Sequence, residues 1–258
     1  LGTGDVTGML VPENDMVKAH VIVREEAVLC GAPWFEAVMK SVDTRIQIEW
    51  RYSEGAMMEA DTEVCAIVGP ARALLTAERA ALNFLQLLSG VATITRQYVE
   101  TVKGTRAAIL DTRKTLPGMR LAQKYAVRVG GGMNQRLALY DGILIKENHI
   151  AAAGGISAAM QTAFALQAGV TIQIEVENLD ELREALSAGA TSILLDNFSL
   201  QMMVDAVATT QGRALLEASG GVNMETVRAI AQTGVDRISI GSLTKDVKAV
   251  DYSLRIVG

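Results

Sequence analysis

Asp111-Thr112-Arg113-Lys114-Thr115 follows an apolar run, Ala107-Ala108-Ile109-Leu110, that is short and bounded like a buried strand. Two adjacent cations after such a strand suit a ligand with several negative charges, because an arginine fork grips carboxylates bidentately and a lysine acts as a point charge. The same arrangement recurs downstream. Arg136 follows Gly130-Gly131-Gly132, and Lys146 follows Ile143-Leu144-Ile145. The carboxylates of Glu175 and Asp196 terminate two further apolar runs. Four cations facing two carboxylates suit a polyanion carrying a divalent metal. Ser219-Gly220-Gly221 and Gly241-Ser242 end the last two apolar runs, and their backbone amides can cradle a phosphate. No Ser-His-Asp or Cys-His arrangement is suggested. His149 fits an acid–base role or a structural hydrogen bond equally well. A Schiff-base role for Lys146 fits less well than an electrostatic one among so many cations.

The elements that must position these groups alternate after Lys103. Candidate strands cover residues 107–110, 126–129, 142–145, 171–176, 191–195, 214–217 and 236–240. Helical patterns cover 156–167 and 179–188, and Asn223 can cap another that runs to Gly234. This alternation predicts parallel strands with crossover helices. Polar clusters at the C-terminal end of nearly every strand favour a barrel, where those ends share one mouth. In an open sheet only the ends at the switch point would meet. Before Lys103 the pattern is mixed. Residues 19–23 and 27–29 suggest a hairpin, and Pro33 opens a short helix to about Lys40. Ile46, Ile48 and Trp50 alternate with polar residues in a strand, and residues 64–68 form another, ended by Gly69-Pro70. Residues 72–103 read as helix, with Thr76 as N-cap and a break at Ser89-Gly90. On spacing alone Arg79, in the first turn after Thr76, is a solvated helix charge.

With 258 residues the chain can form one large or two smaller domains, and 50% hydrophobic with 21% charged residues is the balance of a globular protein. The net charge of −5 offers no bulk basic field for nucleic acid, so an anion site must be a local pocket. No apolar stretch approaches the ~18 residues of a membrane span, and no signal-peptide pattern opens the chain, so a cytoplasmic location is expected. Cys30 and Cys65 read as buried reduced thiols. His20 and His149 are too few for a histidine-rich metal site.

Motifs along the whole chain resemble the quinolinate phosphoribosyltransferases of the decarboxylating type. They include Gly4-Asp5-Val6-Thr7, Glu78-Arg79-Ala80-Ala81-Leu82-Asn83, Leu88-Ser89-Gly90-Val91-Ala92-Thr93 and the Asp111 to Thr115 cluster with Pro117-Gly118-Met119-Arg120. Later ones are Lys124-Tyr125-Ala126-Val127, Leu144-Ile145-Lys146-Glu147-Asn148-His149, Glu175-Val176-Glu177, Leu195-Asp196-Asn197, Glu217-Ala218-Ser219-Gly220-Gly221 and Gly241-Ser242-Leu243-Thr244. The resemblance implies an α/β fold, with an N-terminal α/β sandwich-like domain (1–80, completed by 246–258) and a seven-stranded β/α barrel (81–245). It implies transfer of phosphoribose from phosphoribosyl pyrophosphate to quinolinate with Mg2+. The products are nicotinate mononucleotide, pyrophosphate and CO2, in de novo NAD biosynthesis. A homodimer or larger homo-oligomer is implied, with Arg79 reaching the neighbouring subunit's site.

By the same resemblance Arg113, Arg136 and Lys146 hold the two carboxylates of quinolinate, and Lys114, Glu175 and Asp196 serve the ribose, pyrophosphate and metal. The catalytic set is thus Lys114, Lys146, Glu175 and Asp196. Ser219, Gly220, Gly221 and Gly241 hold the 5′-phosphate, with Thr112, Gln135 and Ser242 completing the substrate contacts. Three departures stand out. Asn134-Gln135-Arg136 replaces the family's frequent Asn-His-Arg, and Gln135 can donate a hydrogen bond but carries no charge. Lys245 stands where many members have His, and the family's first helix is expected before Leu1. Two rival readings are a phosphoribosyltransferase-like protein of metal-cofactor metabolism on the same fold and a non-catalytic sensor that kept the pocket.

Overall fold

The computed structural model describes residues 4–257. Its elements fall into two compact units. The first comprises the chain up to Arg96, the short segment Arg128–Gly131 and the chain from Asp246 onward; the second comprises Gln97–Val127 and Gly132–Lys245. In chain order, a 3-10 turn (Gly8–Leu10) precedes β1 (Met16–Val23), β2 (Ala27–Val28), α1 (Ala32–Val42), β3 (Gln47–Trp50), β4 (Met57–Met58), β5 (Thr62–Pro70) and α2 (Ala71–Thr101). The alternating segment follows as β6 (Ala108–Leu110), α3 (Arg120–Val129), β7 (Gly142–Ile145), α4 (Glu147–Ala153), α5 (Ile156–Ala165) and β8 (Thr171–Val176). It continues with α6 (Leu179–Ser187), β9 (Ser192–Asp196), α7 (Leu200–Thr210), β10 (Leu215–Ser219), α8 (Val227–Gln232), β11 (Arg237–Ser239) and α9 (Ser242–Lys245), and β12 (Tyr252–Val257) closes the chain.

In the first unit β12-β1-β5-β3 form an antiparallel sheet whose inner face, Ala19, Val21, Val23, Val64 and Ile67, packs in one core with Phe35 and Met39 of α1 and Leu74, Leu82 and Leu85 of α2. Alternation in β1 buries these positions on one side of the strand, as period-2 geometry requires. The expected hairpin of residues 19–23 with 27–29 does not form. Both edges of β1 are taken, by β5 and by β12, so β2 pairs with β4 instead.

The helix expected to break at Ser89-Gly90 is one continuous helix, α2, and Thr76 lies inside it rather than at its cap. Ser89 Oγ accepts the Cys30 N–H at 3.0 Å and lies 2.8 Å from the Tyr252 hydroxyl, so its polar side chain is satisfied without disturbing the helix. Gly90 is there for space: a Cβ at that position would collide with the carbonyl oxygen of Lys248. Thr76 Oγ1 donates to Asp5 Oδ2 at 2.7 Å, and the Gly8 N–H with this hydroxyl holds the Asp5 carboxyl below the usual carboxylate range.

In the second unit six parallel strands run in the order β6-β11-β10-β9-β8-β7. Residues 126–129, expected as a strand, belong to α3. An apolar run that short suits either element, and here Ala122, Gln123, Lys124, Ala126 and Val127 form the buried face of an amphipathic helix. In place of a seventh strand there is a single bridge, Leu110 to Met133. The segment that carries it spans the two edges of the sheet, since Met133 pairs with β6 while Arg136 Nη1 donates to the Gly142 carbonyl of β7 at 3.3 Å. Asn223 accepts the N–H groups of Glu225 and Thr226, both at 3.0 Å, capping a turn ahead of α8 rather than α8 itself. Among the described residues no helix is long and apolar enough to cross a membrane.

Glycine-to-alanine inside a helix ordinarily stabilises by about 1 kcal/mol. At Gly90 the opposite sign is expected: Gly90→Ala should lower the urea midpoint, with a loss of about 1–3 kcal/mol typical of overpacking. An unchanged or raised midpoint would show that Lys248 yields freely.

Candidate active site

Strand register alone brings the sequence-predicted charges of β7 to β10 onto one face. Ile145 pairs with Ile174, so Lys146, one residue on, lies level with Glu175. Glu175 pairs with Leu194 and Leu194 with Glu217, while Asp196, two residues beyond Leu194, pairs with Ser219. Since side chains alternate with period 2 and parallel neighbours in register share a face, Lys146, Glu175, Asp196 and Ser219 all point the same way at the C-terminal ends. The ion pair between Lys146 Nζ and Glu175 Oε2, 2.8 Å long, is the direct expression of that register. Glu175 is the sheltered partner and Lys146 keeps donors open to solvent, with side chains 11% and 44% exposed. His149 Nδ1 accepts the Lys146 N–H at 3.0 Å, which caps the start of α4.

The phosphate-type loops owe their shape to backbone constraints. Asn197 has φ of 55° and its N–H donates to the Ser219 carbonyl at 3.0 Å, tying the end of β9 to the end of β10. Its Nδ2 donates to Asp196 Oδ2 at 2.9 Å. Gly220, at φ 99°, can carry no side chain, because a Cβ would run into the Asn197 carboxamide; Gly221 is also left-handed, at φ 61°. Across the sheet, Thr112 Oγ1 accepts the Lys114 N–H at 3.0 Å and Thr244 Oγ1 donates to the Lys114 carbonyl at 2.7 Å. A Cβ on Gly241 would sit 3.0 Å from Lys114 Cδ, so the loops after β6 and β11 touch, with Ser242 opening α9 beside them.

Arg113 is half-buried, and its Nε is a buried donor with no hydrogen-bond partner. Among the described residues neither Arg113 nor Arg136 is ion-paired with a carboxylate. Burial and the Arg113 charge both lower the Arg136 pKa from its ordinary value. Arg136 Nη1 donates to the Gly142 carbonyl at the start of β7, and Lys146 follows the end of that strand. Arg79 is exposed on α2 in the first unit. Buried donors without acceptors are costly to leave unmatched.

The sequence reading left unassigned a set of buried polar groups beneath these residues. Asp111 is wholly buried and accepts three donors: Lys124 Nζ at 2.5 Å, Asn134 Nδ2 at 2.6 Å and the Gln135 N–H at 2.9 Å. Burial pushes the Asp111 carboxyl up, while Lys124, Asn134 and the Gln135 N–H oppose that shift. Lys124 Nζ also donates to the Gln135 carbonyl at 2.8 Å. A second set links Gln135, Gln173 and Glu217. The available signals were a lysine on the apolar face of α3 and a glutamine between Ile172 and Ile174.

Removing one partner of a buried ion pair strands the other charge, at a cost of about 3–5 kcal/mol. Lys124→Met should therefore destabilise by that order in chemical denaturation. Adding Asp111→Asn should restore part of the loss. A double variant as unstable as the sum of the two singles would contradict the coupling.

No group of three or more His, Cys, Asp or Glu side chains able to hold a metal ion occurs among the described residues. Glu175 and Asp196 are two carboxylates at neighbouring strand ends, already engaged by Lys146 and Asn197. That donor set fits a magnesium ion bound mainly through substrate phosphates, which needs only one or two protein carboxylates. It does not make an all-protein cage.

Comparison with known proteins gives the same site a lineage. Residues 5–89 match the model of the quinolinate phosphoribosyl transferase N-terminal domain and residues 91–255 that of its C-terminal domain. The structure of the nicotinate-nucleotide pyrophosphorylase from Francisella tularensis superposes with a TM-score of 0.97 at 46% identity, over 100% of this chain and 91% of that one. A probable nicotinate-nucleotide pyrophosphorylase [carboxylating] from Bacillus subtilis is 40% identical over 99% of this chain and 89% of its own length. A chloroplastic relative of the same name from Arabidopsis thaliana is 39% identical over 98% of this chain and 78% of its own length. Matched end to end by both domain models and in fold, the chain belongs to the quinolinate phosphoribosyltransferase family.

Proposed function

We infer that this protein transfers phosphoribose from phosphoribosyl pyrophosphate to quinolinate and releases pyrophosphate, CO2 and nicotinate mononucleotide, a step of NAD biosynthesis. The observation that carries this reading at the site is Arg113, whose buried Nε has no acceptor and whose guanidinium has no carboxylate partner among the described residues. A diacid supplies what is missing. The two rival readings have less support. A binding-only sensor would need the same cations but not the Lys146–Glu175 pair at the strand ends, and relatives named as pyrophosphorylases share the chain over nearly its full length.

In this reading Arg113, Arg136 and Lys146 bind the carboxylates of quinolinate, with Gln135 as a neutral donor. Ser219, Gly220, Gly221, Gly241 and Ser242 bind the 5′-phosphate through their backbone amides, with Gly220 kept free of a side chain by the Asn197 carboxamide. Lys114, tethered through Thr112 and Thr244, lies where it can stabilise the pyrophosphate as it leaves. Glu175 and Asp196 would hold Mg2+ together with the pyrophosphate. That ion supplies charge neutralisation on the leaving group. The same carboxylates stabilise the positive charge that develops on the ribosyl carbon as its bond to pyrophosphate breaks. The quinolinate nitrogen attacks that carbon. The ring, now cationic, stabilises the electron pair left on the ring carbon when the adjacent carboxylate departs as CO2, and a proton from water then adds to that carbon in place of the carboxylate. Positioning and charge complementarity then carry most of the work, with little demand for a proton carrier. The engagement of His149 Nδ1 in a helix cap accords with that.

Arg79 is exposed on α2, and we assign it to the site of a second subunit in a homodimer or larger assembly. A cytoplasmic setting accords with two free, buried thiols, of which Cys65 has a pKa pushed up to about 12 by burial.

Arg113→Ala should lower kcat/KM for quinolinate by at least ~10²-fold, the scale of a lost charge-assisted pair. Near-normal turnover, measured as nicotinate mononucleotide formed with nicotinate as control substrate, would refute the assignment. Arg79→Ala and Lys146→Ala should each be inactive alone. Mixed dimers should recover activity at the sites that combine one intact copy of each residue. Purified heterodimers with no recovery would remove Arg79 from a shared site.

A further inference from the structure

Beneath the strand ends lies a directional chain of side chains whose inner members, Glu217 and Gln173, the reaction above does not use. Glu217 is 1% exposed and Gln173 5% exposed, on β10 and β8. They meet across β9 because in-register parallel strands turn alternate side chains to one face of the sheet. Gln173 Nε2 donates to Glu217 Oε2 at 2.9 Å. Gln173 Oε1 accepts from Gln135 Nε2 at 2.7 Å, and Gln135 Oε1 accepts the Arg136 N–H at 2.6 Å.

A carboxamide has a donor end and an acceptor end of nearly equal shape, so its orientation is set only by what it meets. Glu217 Oε2 is an acceptor, which obliges Gln173 to turn its NH2 inward and its oxygen toward Gln135. Gln135 must then offer NH2 to Gln173 and keep its oxygen for the Arg136 N–H. With no acceptor at position 217, the inward NH2 of Gln173 loses its partner and only the Gln135 contact still holds its orientation. A flipped Gln173 would confront Gln135 donor to donor, and a Gln135 flipped in response would turn its NH2 against the Arg136 N–H. The cost of such mismatches in a buried site is that of an unsatisfied polar group.

We propose that Glu217 is a positioning residue for diacid recognition: through Gln173, and by its own attraction for the Gln135 carboxamide, it holds Gln135 with a fixed end toward the site. This rests on the diacid-binding role assigned above to the Gln135-Arg136 step. Burial pushes the Glu217 pKa up, against Gln173, Ser239, Arg237 and Gln135. A protonated Glu217 still presents a carbonyl oxygen to Gln173, so the role needs an acceptor rather than a charge.

The test is the full-length enzyme as wild type, Glu217→Gln, Glu217→Met, Gln135→Met and the Glu217→Met/Gln135→Met double variant. Calorimetry reads quinolinate and phosphoribosyl pyrophosphate binding separately, and steady-state assays read KM for each. Glu217→Gln retains an acceptor oxygen and should hold quinolinate affinity within about 3-fold of wild type. Glu217→Met should weaken quinolinate at least ~10-fold, with phosphoribosyl pyrophosphate binding changed less than about 3-fold. The double variant should match Gln135→Met alone, because both act through one carboxamide. Equal loss for both substrates, failure of Glu217→Gln to rescue, or additive losses in the double variant would each overturn the proposal. Should Glu217→Met fail to fold, Gln173→Leu, which cuts the same chain one link on, must give the quinolinate-selective loss, and its absence overturns the proposal equally. A wild type that binds and turns over no quinolinate would instead sink the functional reading itself, which separates the two failures.

Discussion

The buried pair of Asp111 and Lys124 is the interaction on which the site depends. Asp111 ends β6 and Lys124 lies on α3, so their contact fixes a helix against a strand end. Both side chains are almost fully enclosed, at 0% and 4% exposure, where Coulomb attraction is little screened and desolvation is heavy. Such a pair is tolerated only if its remaining valences are met. Asn134 and the Gln135 N–H complete the Asp111 shell, and the Gln135 carbonyl takes another Lys124 hydrogen. The loop that carries Gln135 and Arg136 is thereby held by the same charges that fix α3. Arg113 and Lys114 follow directly after Asp111, so their starting point is fixed as well.

Above this anchor the sheet acts as a sorting device. Parallel register puts Lys146, Glu175, Asp196 and Ser219 on one face at one end, although the first and last are 73 residues apart in sequence (219 − 146). Each contributing loop is then tightened by a local device: the Asn197 turn under Gly220, the Thr112 and Thr244 hydroxyls on Lys114, and the His149 cap on α4. The cations that remain unmatched, Arg113 above all, give the rim a local positive field in a chain whose net charge is −5. In the function proposed here, that contrast lets a local site attract a small polyanion.

Much of this was legible residue by residue. The strands at 142–145 and 171–176 form as the apolar runs predict, Pro33 opens its helix, and the strand-end clusters lie where the alternation places them. Local readings failed where a short run suits two elements or where a residue answers to a distant partner. Residues 126–129 became helix because Lys124, one turn earlier, has to reach Asp111. Ser89 and Gly90 look like a helix break, yet they answer to Cys30, Tyr252 and Lys248. Residues 27–29 lost their expected partner because β12, from the far end of the chain, already occupied that edge of β1.

Composition, periodicity and motif thus settled which groups would be available: the strand-end charges, the glycines and the alternating elements that carry them. These are properties of a residue and its near neighbours, and period 2 or 3.6 is written locally. Which charges neutralise one another, which are left for a ligand, and which way a buried carboxamide faces were decided by packing. Those outcomes depend on contacts between residues far apart in sequence, such as Lys18 opposite Val257 or Gln173 against Glu217, and on desolvation that exists only once the chain has closed around them.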